Sequence, residues 1–296
     1  MLELLIIKGG NFTDRFSKFN PFVTFLFFIL CIASTLIWFE PLFLAAGLLA
    51  SVLYKIKLEG KKGISYFFKI PLPLTVLTAL FNMLFAHYGM TVLFTIAQTQ
   101  FTLESLFYGM CQGIMFSAVI TWFSCYSQVV TSERFMAVMG RFAPNCALVL
   151  SMALSFIPRL KKNAAEINDA RMLLDSGSNR LSKSVKNFSA LLTLTLEESI
   201  DTADSMKSRG FCGGRKAYSK YSFSFRDGLC IVFTAAMFLA LCVFKALRVS
   251  EFLFDPVIKV QNFSIAPLLV YCVFSFLPLI VDFTEDMRWL LLKQKI

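Results

Sequence analysis

Charge is scarce in this chain. Asp, Glu, Lys and Arg make up 16% of its 296 residues, against roughly a quarter in soluble domains. With 57% hydrophobic residues and a mean hydropathy of +0.67, that scarcity excludes an ordinary soluble domain and points to a polytopic membrane protein. Histidine is reduced to one residue, His87, at the outer end of an apolar run, where it reads as a membrane-interface side chain. One imidazole builds neither a Ser/His/Asp triad nor a zinc cluster, which argues against an intramembrane enzyme. The eight cysteines are scattered with no CxxC, which argues against a disulfide framework and a thiolate metal site; in apolar runs Cys acts as a small hydrophobe. The glycine-rich run Gly210-Phe211-Cys212-Gly213-Gly214-Arg215-Lys216 lacks the GxxxxGK[ST] spacing that cradles phosphates, so the chain has no ATP site of its own. No cofactor is expected. The first residues lack the basic start and small-residue cleavage site of a signal peptide.

What the chain has in quantity is long apolar runs, rich in its 34 phenylalanines. Hydrophobicity and turn residues predict about six spans, near 21–39, 42–54 with its flanks, 70–88, 105–130, 229–247 and 264–280. The fold class expected is an all-α polytopic membrane protein. It divides into an N-terminal membrane region (1–130), a polar region (131–227) and a C-terminal membrane region (228–296). The +10 net charge has two candidate causes, nucleic-acid binding or the positive-inside bias of membrane loops. Position decides between them. With the N-terminus inside, 26 of the 29 Lys and Arg fall on inner segments and only Lys245, Arg248 and Lys259 fall outside. That split places 131–227 in the cytoplasm and leaves no need for nucleic acid as a partner. Asn82 and Gln112 lie inside spans and read as interhelical hydrogen-bonding groups.

The cytoplasmic region reads as two helices. The first begins at Pro144-Asn145, is apolar on all sides through Ile157, and meets Pro158, where a kink is allowed. Leu160, Ala164, Ile167 and Leu174 then recur at helical spacing, and Gly177 suits a helix-ending position. The second runs from about Leu181 to Arg209. Its expected buried stripe is Leu181, Val185, Phe188, Leu192, Leu196, Ser199, Ala203 and Met206. Packed as a crossed or antiparallel pair, the two helices would bury both stripes. Lys207 and Arg209 suit the last turn and Gly210 closes it. Ser208-Arg209-Gly210 has two readings. One is an ordinary helix end on a juxtamembrane pair lying against anionic lipid. The other is an Arg peg at the tip of a rigid lever, whose planar guanidinium makes paired bonds inside a partner's groove.

In order along the chain, Phe19-Asn20-Pro21, Thr131-Ser132-Glu133-Arg134-Phe135, Arg141-Phe142-Ala143-Pro144, Phe156-Ile157-Pro158 and Met206-Lys207-Ser208-Arg209-Gly210-Phe211 with Gly213-Gly214-Arg215-Lys216 resemble landmarks of one family. That family is the transmembrane T component of energy-coupling factor (ECF) transporters. The last match is the most specific, because it stands at the end of the second cytoplasmic helix. The resemblance implies two Ala-Arg-Gly-type motifs, each docking an ABC-type ATPase. The second maps to Ser208, Arg209 and Gly210, with Pro158, Phe211, Arg215 and Lys216 in support. The first maps to the segment ending Asp175-Ser176-Gly177, which lacks the Arg; Arg171 and Arg180 are the nearest candidates. The approach to the first span also departs from the pattern, with Asn20 where an acidic residue or His is common.

Unequal motifs suit two non-identical ATPases. The resemblance further implies a membrane substrate-binding S component as partner, a bacterial or archaeal cell membrane, and uptake of a vitamin or of cobalt or nickel. The function expected is therefore a non-catalytic coupling subunit, not an enzyme. The alternative is a self-contained secondary transporter or channel, which calls for ionisable residues within the spans and usually a repeated half.

Overall fold

The computed structural model describes residues 16, 19–85, 91–96, 99–174, 180–211, 221, 223–249, 251–253, 259–262 and 264–284. Its framework is helical, and the chain separates into two compact units, 132–221 and the remainder on either side of it.

Proline opens several helices of the larger unit, because its fixed φ suits the first turn and its missing N–H is not needed there. Helix α1 (Pro21–Ile37) is further capped by Asn20, whose Oδ1 accepts the Phe22 N–H at 3.1 Å. Helix α2 (Pro41–Glu59) follows, then Gly60 at φ 63° turns the chain into α3 (Lys61–Lys69) and α4 (Pro71–Phe85). Strands β1 (Val92–Ile96) and β2 (Thr99–Thr102) form an antiparallel hairpin before α5 (Leu103–Val129). After the second unit come α9 (Phe225–Ala246), a hairpin of β3 (Glu251–Leu253) and β4 (Lys259–Asn262), and α10 (Ile265–Ser275) with α11 (Leu277–Thr284).

Among the described residues, four helical stretches are long and apolar enough to cross a membrane: α2, α3 with α4, α5 and α9. The pair α10–α11, bent by 57°, makes a fifth if it is one span, and α1 is apolar but only 17 residues long. About six were expected. The difference lies in α1, at the low end of spanning length, and in the break after Ser275.

Helix α5 is the hub, packed against α1, α2 and α4. Against α4 the approach is closest, and glycine makes it possible. A Cβ on Gly113 would stand 2.8 Å from Thr75 Cα and 2.9 Å from its carbonyl oxygen; one on Gly109 would stand 3.0 Å from Ala79 Cα. Small residues four apart let two backbones meet where lipid offers no hydrophobic drive to associate. Hydrogen bonds then join them: Asn82 Nδ2 donates to Gln112 Oε1 at 2.7 Å, Ser105 Oγ to the Asn82 carbonyl at 2.9 Å, and Ser117 Oγ to the Pro71 carbonyl at 2.8 Å. The interhelical role expected for Asn82 and Gln112 is thus met by each other.

The core of this unit is aromatic. Phe27, Phe28, Tyr54, Trp122 and Phe274 are buried around one another with ring centroids about 6 Å apart, largely in tilted or edge-on pairs. Buried carboxylates tie chain segments together at helix ends. Asp282 accepts the Phe16 N–H at 3.0 Å and pairs with Lys57 at 3.1 Å. Asp227 closes a capping box with Ser224 and also accepts the Asn20 N–H at 3.4 Å.

Among the described residues the smaller unit holds three helices: α6 (Ser132–Phe142), α7 (Pro144–Leu174) and α8 (Arg180–Ser208). Only Ala143 separates α6 from α7. Helix α7 packs against both of its neighbours in the unit.

Candidate docking site at the end of the long helix

Helix α8 runs for 29 residues and closes in a complete Schellman motif. The Phe211 N–H donates to the Met206 carbonyl at 3.1 Å and the Gly210 N–H to the Lys207 carbonyl at 3.0 Å. This closure demands a left-handed residue at the bend, and Gly210 supplies it at φ 74°. Arg209 is thereby the last residue before the bend, its N–H still bonded to the Ser205 carbonyl at 3.2 Å. Ser208 Oγ donates to the same carbonyl at 2.9 Å, so three consecutive groups hold the final turn together. The Arg209 side chain is exposed, and among the described residues it has no ion-pair partner. A guanidinium so placed presents up to five donors, at a helix end whose dipole favours a cation.

Helices α7 and α8 run antiparallel. Asn163 Nδ2 donates to Glu198 Oε1 and Asn187 Nδ2 to Asn168 Oδ1, each at 3.2 Å, so positions ascending on one helix meet positions descending on the other. On α7 the inward row is Leu160, Ala164, Ile167 and Arg171, all half-buried, close to the stripe expected from spacing. Arg171 therefore lies along the helix pair, whereas Arg209 stands clear at a helix end. Met172 and Leu173, next to Arg171, are strongly exposed. Pro158 sits inside α7 without ending it; the ring removes one backbone donor from an otherwise continuous helix.

The stripe on α8 departs from expectation. It was expected to be buried against α7, but Val185, Phe188 and Leu196 are 61–67% exposed, Leu192 is 45% exposed, and Ser199 and Ala203 are exposed too; Ile200, beside the expected stripe, is 64% exposed. Among the described side chains of α8 the half-buried positions are Lys183, Asn187, Ala190, Leu191, Thr195, Glu198 and Met206; of the expected stripe Met206 alone is among them, and Asn187, Leu191, Thr195 and Glu198 form a row roughly a third of a turn around the helix from the apolar stripe. In this rotation Asn163 and Asn168 meet Glu198 and Asn187 across the pair as a polar seam, and the apolar stripe is left outward. Sequence reasoning missed the seam. Its signal was available in Asn163 and Asn168, polar residues interleaved with the apolar positions of α7.

Asp175, Ser176 and Gly177 of the first motif, and Arg215 and Lys216 beyond the second, lie outside the described residues, as does the side chain of Arg180. Among the described residues no group of three or more His, Cys, Asp and Glu could hold a metal ion.

The fold defines a multi-pass helical membrane protein carrying a separate pair of long antiparallel helices. No protein-family model matches the chain, and no curated protein is similar enough to it to count as a relative.

Proposed function

We propose that this chain is the non-catalytic transmembrane coupling subunit of an ECF-type importer for a vitamin or a metal ion. Two ABC-type ATPases, non-identical because the two motifs are unequal, grip the ends of α7 and α8. A membrane S component carries the substrate. ATP-driven approach of the ATPases moves the gripped ends, and the helix pair changes its crossing angle. Two amide-mediated bonds along a thin polar seam resist such a change less than an interdigitated apolar core does. The exposed stripe Val185, Phe188, Leu192, Leu196 and Ile200 passes the motion to the membrane partner.

The observation that carries this reading is the exposed Arg209 held at a helix tip by the Schellman closure. A peg requires an exposed guanidinium on a fixed backbone, and Arg209 has both. The ordered landmarks quoted from the sequence add to it.

The test is Arg209→Glu in the full chain, expressed with its native membrane partners. Co-purification of an ATPase and substrate uptake are both expected to fall at least tenfold, while membrane insertion is unchanged. Truncating one buried, hydrogen-bonded charge at an interface costs about 2–5 kcal/mol, and charge reversal adds repulsion. Normal uptake by this variant refutes the peg. Substrate uptake by the purified chain without any ATPase establishes the secondary-transporter alternative instead.

A further inference from the structure

Five lysines lie between residues 55 and 69, and in the long stretch from 41 to 103 the only acid is Glu59. The structure divides these lysines into two sets. Lys55 is buried, its ammonium 3.0 Å from Glu59, donating to Ser124 Oγ at 2.9 Å and resting 4.9 Å above the Tyr66 ring. Lys57 is paired with Asp282 at 3.1 Å. Lys61, Lys62 and Lys69, all on α3, are exposed and have no ion-pair partner among the described residues.

Helix α3 also has a defined inner and outer face. Gly63 is buried, and a Cβ there would stand 2.8 Å from the backbone of Ile56, so this edge is pressed against α2. Tyr66 lies inward beneath Lys55. What remains outward is chemically split. Around the helix the outward order is Ile64 (47% exposed), Phe68 (62% exposed), Lys61, Ser65, Lys69 and Lys62, so the apolar pair forms one flank, Lys69 and Lys62 the other, and Lys61 stands beside Phe68. The apolar side continues into exposed Ile70, Leu72 and Val76, so it joins the lipid-facing flank of a candidate span, Lys61–Phe85.

We propose that the outward face of α3 binds an anionic phospholipid. Lys61, Lys62 and Lys69 hold the headgroup phosphate, and an acyl chain lies along Ile64, Phe68 and the exposed flank of α4. Lysine suits a phosphate that arrives in several orientations, because it acts as a point charge on a flexible stem. A free soluble anion has no use for the adjoining apolar strip, and the continuity of that strip with the span supplies the second half of a lipid's chemistry. The proposal rests only on the chain being a membrane protein and is independent of the coupling role.

The test uses the purified full chain in mild detergent, with native mass spectrometry reading bound phosphatidylglycerol and phosphatidylcholine across a titration. Each lysine near an anionic lipid contributes about a fivefold preference. Lys61→Gln/Lys62→Gln/Lys69→Gln should therefore lose on the order of 100-fold in preference for phosphatidylglycerol. Lys161→Gln/Lys162→Gln, on α7, should lose none. Phe68→Gln should weaken phosphatidylglycerol while leaving any competition by inorganic phosphate unchanged. Three results overturn the proposal: unchanged phosphatidylglycerol binding in the triple variant, equal binding of phosphatidylcholine by the parent, or displacement of the lipid by inorganic phosphate at comparable concentration. If the triple variant does not fold, the three single variants take its place, each expected to lose about fivefold. No loss in any of them is equally decisive against it.

Discussion

Gly113 offers the sharpest check on how the membrane unit is held together. A methyl group there would meet Thr75 Cα at 2.8 Å and Thr75 O at 2.9 Å, and would overlap Thr78 Oγ1. Two of those atoms are backbone, so relief requires α4 and α5 to separate. Separation stretches the Asn82–Gln112 and Ser117–Pro71 hydrogen bonds that lie on either side. Overpacking of this kind costs about 1–3 kcal/mol, and replacing Gly by Ala inside a helix returns up to about 1 kcal/mol. The net expectation for Gly113→Ala is a destabilisation of about 1–2 kcal/mol, or roughly 2–8 °C in melting temperature. The control is Gly228→Ala in α9, where the new methyl would meet only Phe223 Cε1 at 3.5 Å, an ordinary contact. That variant should be neutral or slightly more stable. The assay is thermal unfolding in detergent read by a thiol-reactive dye, since Cys31 and Cys111 are buried in the folded chain and react only on unfolding, above a constant signal from exposed Cys146. Equal melting of Gly113→Ala and the parent refutes the close α4–α5 approach as a determinant of stability.

Gly210→Ala forces a Cβ into the left-handed region at φ 74° with nothing within 4 Å to clash. Its cost is therefore conformational, about 1–2 kcal/mol. Amide exchange of Phe211 and Gly210 should quicken, and ATPase retention should fall less than in Arg209→Glu; retention equal to the parent's would mean that the closure does not position Arg209. A double-mutant cycle on Asn82→Leu and Gln112→Leu should give a coupling of about 0.6–1.7 kcal/mol in detergent unfolding, and a coupling near zero removes the amide pair from the α4–α5 interface.

Much of the helical framework was legible because hydrophobic run length is a one-dimensional property. Helix α5 was expected at 105–130 and lies at Leu103–Val129; α9 was expected at 229–247 and lies at Phe225–Ala246. Where a proline opens a helix, as at Pro21 and Pro144, or a glycine closes one, as at Gly210, the boundary is written in local backbone chemistry. The hairpins at 92–102 and 251–262 were not foreseen, because short strands depend on the pairing of two segments and carry little signal in either one alone. The Gly109–Gly113 spacing was present in the sequence but acquires meaning only when Thr75 and Ala79 are known to stand opposite.

The end of α8 shows the same division. Local sequence alone determined that a helix stops at Arg209, since the bonds that close it run within six residues and need only a glycine at the bend. Tertiary structure decided how that helix is rotated. The period of its apolar residues proposes which face to bury, but the face that packs on α7 carries Asn187 and Glu198, bonded to Asn168 and Asn163, partners 19 and 35 residues apart that no local pattern brings together. It likewise decided which lysines near α3 are consumed by Glu59 and Asp282 and which are left outward, because charge composition counts ions while only the fold brings them within reach of one another.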